Sequence, residues 1–121
     1  MIQARDIMQR HFVGVSKTTT IAAALKLCAS AKVELMPVLD GYKLCGLVTI
    51  DDLEGSKDSS GCVEEVMKGP IFVNANSEIG QASNVMITHG IGRVPVVEDK
   101  LTMRCIGMLT STDIVNATKK Q

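Results

Sequence analysis

This sequence of 121 residues has few aromatic side chains and no excess of positive or negative charge. Tryptophan is absent, and the aromatic residues are Phe12, Tyr42 and Phe72. Thirteen Lys and Arg residues balance thirteen Asp and Glu residues, so no basic field exists to hold a polyanion. Binding of single-stranded nucleic acid also requires aromatic stacking platforms, which are missing. These absences argue against a direct nucleic-acid partner.

Long apolar runs are missing as well. No stretch approaches the roughly 18 apolar residues that span a bilayer, and Asp6 lies where a signal peptide would be apolar. Hydrophobic residues nevertheless make up 45% of the chain, which is enough for a folded core. We therefore expect a globular protein in the cytoplasm with no membrane partner.

The sequence lacks paired metal ligands and a catalytic set. No two cysteines form a Cys-x-x-Cys motif, and the two histidines, His11 and His89, are far apart. The four cysteines are Cys28, Cys45, Cys62 and Cys105. We expect them to be reduced apolar residues rather than zinc ligands or disulfides. A nucleophile with a neighbouring base is also missing, so we expect no enzyme activity.

What the sequence does contain is an internal repeat. Shifting it by 58 residues aligns Val15 with Val73 and Pro37 with Pro95, and other apolar positions between them also coincide. DIM at positions 6–8 resembles EVM at positions 65–67, and GLVTIDDL at 46–53 resembles GMLTSTDI at 107–114. The polar stretch EGSKDSSG, at 54–61, reads as a linker. We predict two repeats, residues 1–57 and 58–121, which share an interface because each alone would bury little surface.

The hydrophobic pattern predicts strand, helix, strand, strand, helix in each repeat, an α+β fold with helices packed on a small sheet. The first strands are predicted at 12–15 and 71–73, and the helices after them are expected to begin at a cap, Thr19 or Thr20 and Ser77. Hairpin strands are predicted to begin at the prolines in MPVL (36–39) and VPVV (94–97). Closing helices are predicted to begin at Asp51 and Thr112.

The last strand of each repeat ends in Gly, two apolar residues, and then Thr-x-x-Asp. Thr49 and Asp52 form this motif in the first repeat, and Thr110 and Asp113 form it in the second. One interpretation is a helix capping box, in which Thr and Asp satisfy each other's backbone amides. The other is a ligand site, in which the carboxylate accepts ribose hydroxyls while the Thr hydroxyl and amides meet a phosphate. The two roles are compatible.

These motifs, in order and duplicated over nearly the whole chain, resemble the CBS-domain family, named after cystathionine β-synthase. The resemblance implies a pseudo-two-fold pair, a Bateman module, with adenosyl ligands such as AMP, ADP, ATP, NAD(H) or S-adenosylmethionine bound in clefts between the repeats. It assigns ribose to Asp52 and Asp113, and it places Thr49 and Thr110 near ribose and phosphate. The positions implied to contact adenine are Val13, Ile71, Met36, Val38, Val94 and Val96.

At one equivalent position, the second repeat has Arg93 and the first repeat has Leu35. The guanidinium of Arg93 could bind a phosphate or could simply be solvated. The resemblance implies a non-catalytic regulatory module without a resident cofactor, forming a homodimer and acting through oligomerisation or a separate effector protein. The alternative is a structural or protein-interaction module that dimerises and binds no nucleotide.

Overall fold

A computed structural model of the chain describes residues 1–119. The elements in chain order are α1 Ala4–Ile7, β1 Val15–Ser16, α2 Ile21–Ala31, β2 Leu35–Asp40, β3 Lys43–Thr49, α3 Ile50–Glu54, a 3-10 turn Val63–Glu65, β4 Val73–Asn74, α4 Ile79–His89, β5 Arg93–Val97, β6 Cys105–Thr110 and α5 Ser111–Lys119. The order strand, helix, strand, strand, helix occurs twice, and the predicted α+β class is confirmed.

The chain folds as two compact units. The inner unit is Val13–Pro70, and the split unit combines Met1–Phe12 with the chain from Ile71 onward. Each unit contains a three-stranded sheet, in the order β1-β2-β3 in the inner unit and β4-β5-β6 in the split unit. In each sheet the first two strands are parallel and the last two are antiparallel. The two units therefore have the same topology, as the repeat predicts.

The segment that opens each repeat lies in the unit built mainly from the other repeat. Gln9 and Met108 exchange two backbone hydrogen bonds of 2.8 and 2.9 Å, which adds this segment to the edge of β6. Lys68 and Leu47 exchange bonds of 2.8 and 3.1 Å at the edge of β3. The boundaries of the two compact units therefore do not coincide with those of the predicted repeats, 1–57 and 58–121. These repeats stay a prediction of the domain boundaries. The last two residues of that second repeat lie outside the described residues.

The prolines lie inside strands, whereas the sequence predicted them at strand starts. β2 begins at Leu35 and β5 at Arg93, each two residues before its proline. Pro37 is opposite Leu47, whose amide and carbonyl are both bonded to Lys68 and therefore point away from β2. The pair is a non-hydrogen-bonded one, in which proline's missing donor is not required. Pro95 has the same relation to Met108 in the split unit.

Helices α2 and α4 occupy equivalent positions in the two units, but different residue types lie at their ends. Thr20 caps α2 by accepting from the amide of Ala23 at 3.1 Å, as predicted. The predicted cap Ser77 is wrong: its hydroxyl accepts from the amide of Asn74, and α4 begins one residue later, after Glu78. At the other end, Lys32 and Gly90 both adopt the left-handed conformation, with φ of 56° and 64°. Only glycine adopts this conformation without strain.

Other boundaries shift by one to three residues. β1 and β4 are two-residue strands that begin later than predicted, at Val15 and Val73. Helices α3 and α5 begin one residue earlier than predicted, at Ile50 and Ser111. Such shifts are ordinary for helix and strand ends, where one hydrogen bond decides the assignment.

Each sheet packs against its helices around its own apolar core. The inner core contains Val15, Ile21, Ala24, Cys28, Met36, Val38, Val48, Leu53 and Val63. The core of the split unit contains Ala4, Met8, Val73, Ala75, Ala82, Met86, Val94, Val96 and Leu109. All four cysteines are free thiols. Within residues 1–119 we find no helix of the length and hydrophobicity needed to cross a membrane. The cytoplasmic location stays a prediction.

Candidate functional site

The strand-to-helix turn of the inner unit is built on reciprocal hydrogen bonds between Thr49 and Asp52. The Thr49 hydroxyl accepts from the Asp52 amide at 3.1 Å, and Asp52 Oδ2 accepts from the Thr49 amide at 3.0 Å. This is the capping box that the sequence suggested. Because the box fixes the carboxylate against the first turn of α3, Asp52 is held in place before any ligand arrives. We call these residues the inner turn.

The split unit carries the same turn between β6 and α5. The Thr110 hydroxyl accepts from the Asp113 amide at 3.0 Å, and Asp113 Oδ2 accepts from the Thr110 amide at 3.0 Å. All four side chains of the two turns are half-buried. We call this second set the split turn. The capping interpretation is therefore realised in both places, and a ligand role would have to coexist with it.

The motif glycine of each unit allows another backbone segment to lie against the strand. A Cβ at Gly46 would be 2.6 Å from Met67 Sδ and 2.7 Å from the Lys68 carbonyl oxygen. A Cβ at Gly107 would be 2.6 Å from Met8 Sδ and 3.0 Å from the Gln9 carbonyl oxygen. At these distances, neither position has room for a side chain. The glycines thus bring Lys68 and Gln9 to the two turns.

Lys68 and Gln9 contact the two carboxylates. The Lys68 ammonium forms an ion pair with Asp52 Oδ1. Gln9 Nε2 donates to Asp113 Oδ1 at 3.3 Å and to Oδ2 at 3.2 Å. Partial burial acts to raise the pKa of Asp52, but the hydrogen bonds from Lys68 and Thr49 outweigh it and hold that pKa below its ordinary value. The two turns therefore match in backbone geometry and differ in the charge of one neighbour.

Neither Lys68 nor Gln9 was identified from the sequence. Each directly follows the last residue of the repeated DIM and EVM segments, so their equivalence was readable. Their position beside Asp52 and Asp113 depends on long-range backbone pairing, which the repeat does not reveal. The two residues can be located by aligning the two repeats once the backbone pairing is known.

The apolar positions assigned to adenine lie in the cores. Met36, Val38, Val94 and Val96 are fully buried, with no exposed side-chain surface. Val13 and Ile71 are half-buried and pack against the core of their own unit. The four buried residues present no surface to a ligand, and their contact with adenine stays a prediction.

Arg93 lies where comparison of the two repeats places it, at the position equivalent to Leu35. It is the first residue of β5 and is opposite Thr110, just as Leu35 is opposite Thr49. Arg93 is half-buried, and its place beside the split turn fits a phosphate contact. That contact stays a prediction.

The two turns present preorganised acceptors for hydroxyl groups. A carboxylate offers about four lone-pair positions, and the cap uses one of them in each turn. Lys68 contacts a further oxygen of Asp52, and Gln9 contacts both oxygens of Asp113, so the hydroxyls of a vicinal diol would share each carboxylate with these neighbours or displace them. The capping box fixes the orientation of the carboxylate that a diol would meet. Among residues 1–119, no group of three or more His, Cys, Asp or Glu side chains is arranged to hold a metal ion. The geometry thus favours binding of a polar ligand.

Comparison with known proteins gives consistent matches along the chain. It is 26% identical over 119 residues to an uncharacterised protein of Methanocaldococcus jannaschii, a match that covers 96% of this chain and 44% of that protein. The chain thus spans less than half the length of this relative. It is 30% identical over 122 residues to hypoxic response protein 1 of Mycobacterium tuberculosis, which covers 94% of this chain and 83% of that one.

Solved structures share the fold over nearly the full length. CBSX2 from Arabidopsis thaliana matches with a TM-score of 0.86 at 25% identity, covering 98% of this chain and 94% of that one. A structure of CBSX2 in complex with AMP matches with a TM-score of 0.84 at 26% identity and covers 98% and 96%. The family model of the CBS domain matches residues 4–55 and 63–120, one match for each repeat. The chain therefore belongs to the CBS-domain family and carries two CBS domains.

Proposed function

We propose that this protein is a non-catalytic sensor that binds an adenosyl ligand at its two Thr-x-x-Asp turns. The observation that carries the proposal is the capped carboxylate of each turn, which is held in one orientation while lone pairs remain for a diol. Capping alone would account for the hydrogen bonds within each turn. Membership of the CBS-domain family, and the likeness to CBSX2 in complex with AMP, support the ligand role as well.

The proposed ligand contacts follow from the chemistry of each group. Asp52 and Asp113 accept the ribose hydroxyls, and Thr49 and Thr110 lie near ribose and phosphate. The backbone around the half-buried Val13 and Ile71, and around the buried strand residues, contacts adenine. Arg93 binds phosphate in the split unit. AMP, ADP, ATP, NAD(H) and S-adenosylmethionine all carry the adenine and ribose that this arrangement recognises.

A thermal-shift panel tests the proposal. A ligand that binds only the folded state raises the melting temperature according to its concentration relative to its dissociation constant. We expect at least one of these adenosyl compounds to raise it, with 2′-deoxyadenosine monophosphate giving a smaller shift because it lacks one ribose hydroxyl. No shift with any of them at millimolar concentration would favour the structural module that binds no nucleotide.

We also propose that the chain forms a homodimer and passes its ligand state to a separate effector protein. Two exposed apolar side chains on helices of the split unit, Ile87 of α4 and Val115 of α5, support an interface there. Sedimentation velocity at tens of micromolar is expected to give a dimer. We expect Ile87→Glu to shift that dimer toward monomer, and a wild-type monomer with and without AMP would contradict the assembly.

A further inference from the structure

The two turns are alike except for one side chain. Lys68 and Gln9 each follow a methionine that packs against the motif glycine, and each exchanges backbone hydrogen bonds with the residue after that glycine. Their backbones therefore occupy equivalent places. Their side chains contact the equivalent carboxylates. Lys68 presents an ammonium cation to Asp52, and Gln9 presents a neutral amide to Asp113.

This difference changes what a ligand must displace. Asp52 Oδ2 is used by the cap, and its Oδ1 is paired with the Lys68 ammonium. The Asp52 side chain is only 16% exposed, so a diol has little other approach to that carboxylate. A hydroxyl competing for Oδ1 must weaken an ion pair, whereas at Asp113 it competes with the longer, neutral contact from Gln9.

We propose that Lys68 makes the inner turn the weaker of the two ligand sites, so that the split turn fills first. This inference rests on the proposed function, because it assumes that the carboxylates bind ribose. The Lys68 side chain is 53% exposed, so water and salt screen the pair. Its effect on ligand affinity is therefore about two- to fivefold, which is typical of an exposed ion pair. The protein would respond to its ligand over a wider concentration range than two equal sites allow.

The test isolates each turn and exchanges the two neighbours. Asp113→Asn leaves the inner turn as the intact site, and Asp52→Asn leaves the split turn, because the asparagine side-chain oxygen can still accept from the amide of the capping threonine. Binding of AMP and of adenosine is measured by calorimetry for each variant. We expect addition of Lys68→Gln to Asp113→Asn to tighten both ligands about two- to fivefold. We expect addition of Gln9→Lys to Asp52→Asn to weaken both by the same factor.

The outcomes separate this inference from the proposed function. Unchanged affinities in both exchanges would overturn the role of Lys68 while leaving ribose binding intact. A weaker affinity for AMP alone after Lys68→Gln would also overturn it, because Lys68 would then bind the phosphate. If wild type binds but Asp113→Asn does not, even with Lys68→Gln, the inner turn is not a ligand site and the inference fails. Failure of wild type to bind either compound would overturn the proposed function itself, and the inference with it.

Discussion

Replacement of Gly107 by alanine tests whether the opening segment of the chain lies against β6 as the structure has it. The added Cβ would be 2.6 Å from Met8 Sδ, 2.9 Å from Met8 Cγ and 3.0 Å from the Gln9 carbonyl oxygen. Met8 is 9% exposed and has little room to move. The Gln9 carbonyl is held by its bond from the Met108 amide, so the backbone cannot retreat without losing that bond.

The expected magnitude follows from two opposing effects. Overpacking at a filled site costs about 1–3 kcal/mol. Alanine also restricts the unfolded chain, which contributes about 0.4–1 kcal/mol of stability in the opposite direction. We expect Gly107→Ala to lower the free energy of unfolding by about 1–2 kcal/mol. For a chain of this size, that is a fall of several degrees in melting temperature.

The assay is urea denaturation followed by circular dichroism, with Gly80→Ala as a matched control. Gly80 is the exposed second residue of α4, and a Cβ there would have no neighbour within 4 Å apart from its own stretch of helix. Glycine in the middle of a helix costs about 0.5–1 kcal/mol relative to alanine and costs less in the first turn, so we expect this control to leave the free energy of unfolding unchanged or to raise it slightly. If Gly107→Ala is as stable as Gly80→Ala, the close approach to Met8 and Gln9 is refuted.

Three further changes are expected to have measurable effects. Lys32→Gly should raise the melting temperature by a few degrees, because Lys32 holds a left-handed conformation that costs a lysine about 1–2 kcal/mol; an unchanged or lower value would contradict this. Burial raises the pKa of Cys105 to about 11, so an alkylating reagent at pH 8 should modify half-buried Cys62 well before Cys105; equal rates would show that Cys105 is accessible. The pKa of Asp52 lies below its ordinary value of 3.8, so its contribution to stability is present above about pH 4 and lost as the pH falls further. Asp52→Asn should reduce this acid-induced loss in a stability-against-pH series, and an identical series would contradict the pairing.

The sequence was sufficient to predict what depends on local pattern. The i, i+3, i+7 spacing of Ile21, Ala24 and Cys28 predicted the buried face of α2, and all three are in the core. Thr20 was recognisable as a cap because a threonine directly precedes that face. Ser77 misled because serine also closes turns, and here its hydroxyl accepts from Asn74 instead.

What depends on long-range pairing could not be predicted. The proline rule failed at Pro37 because its strand partner Leu47 is bonded to Lys68, a residue 21 positions further along the chain. The same pairing places Lys68 beside Asp52. Duplication of the Thr-x-x-Asp motif identified both carboxylates, and the structure realises the capping interpretation of each. Their ribose role stays a prediction.

The central claim is that Asp52 and Asp113 hold a ribose, and calorimetric titration with the tightest ligand of the adenosyl panel tests it most directly. The comparison is wild type against the double variant Asp52→Asn, Asp113→Asn, with Asp51→Asn as a matched control at the exposed neighbouring position. The asparagine side-chain oxygen can still accept from the amide of the capping threonine, and the double variant loses the modest contribution of the Asp52 charge, so all three proteins should remain folded at the assay temperature without ligand. We expect the double variant to bind roughly thirtyfold more weakly or worse, because charge-assisted hydrogen bonds are lost, and the control to bind as wild type does. Equal affinity in all three proteins would mean that the two aspartates are helix caps only and that the ligand binds elsewhere.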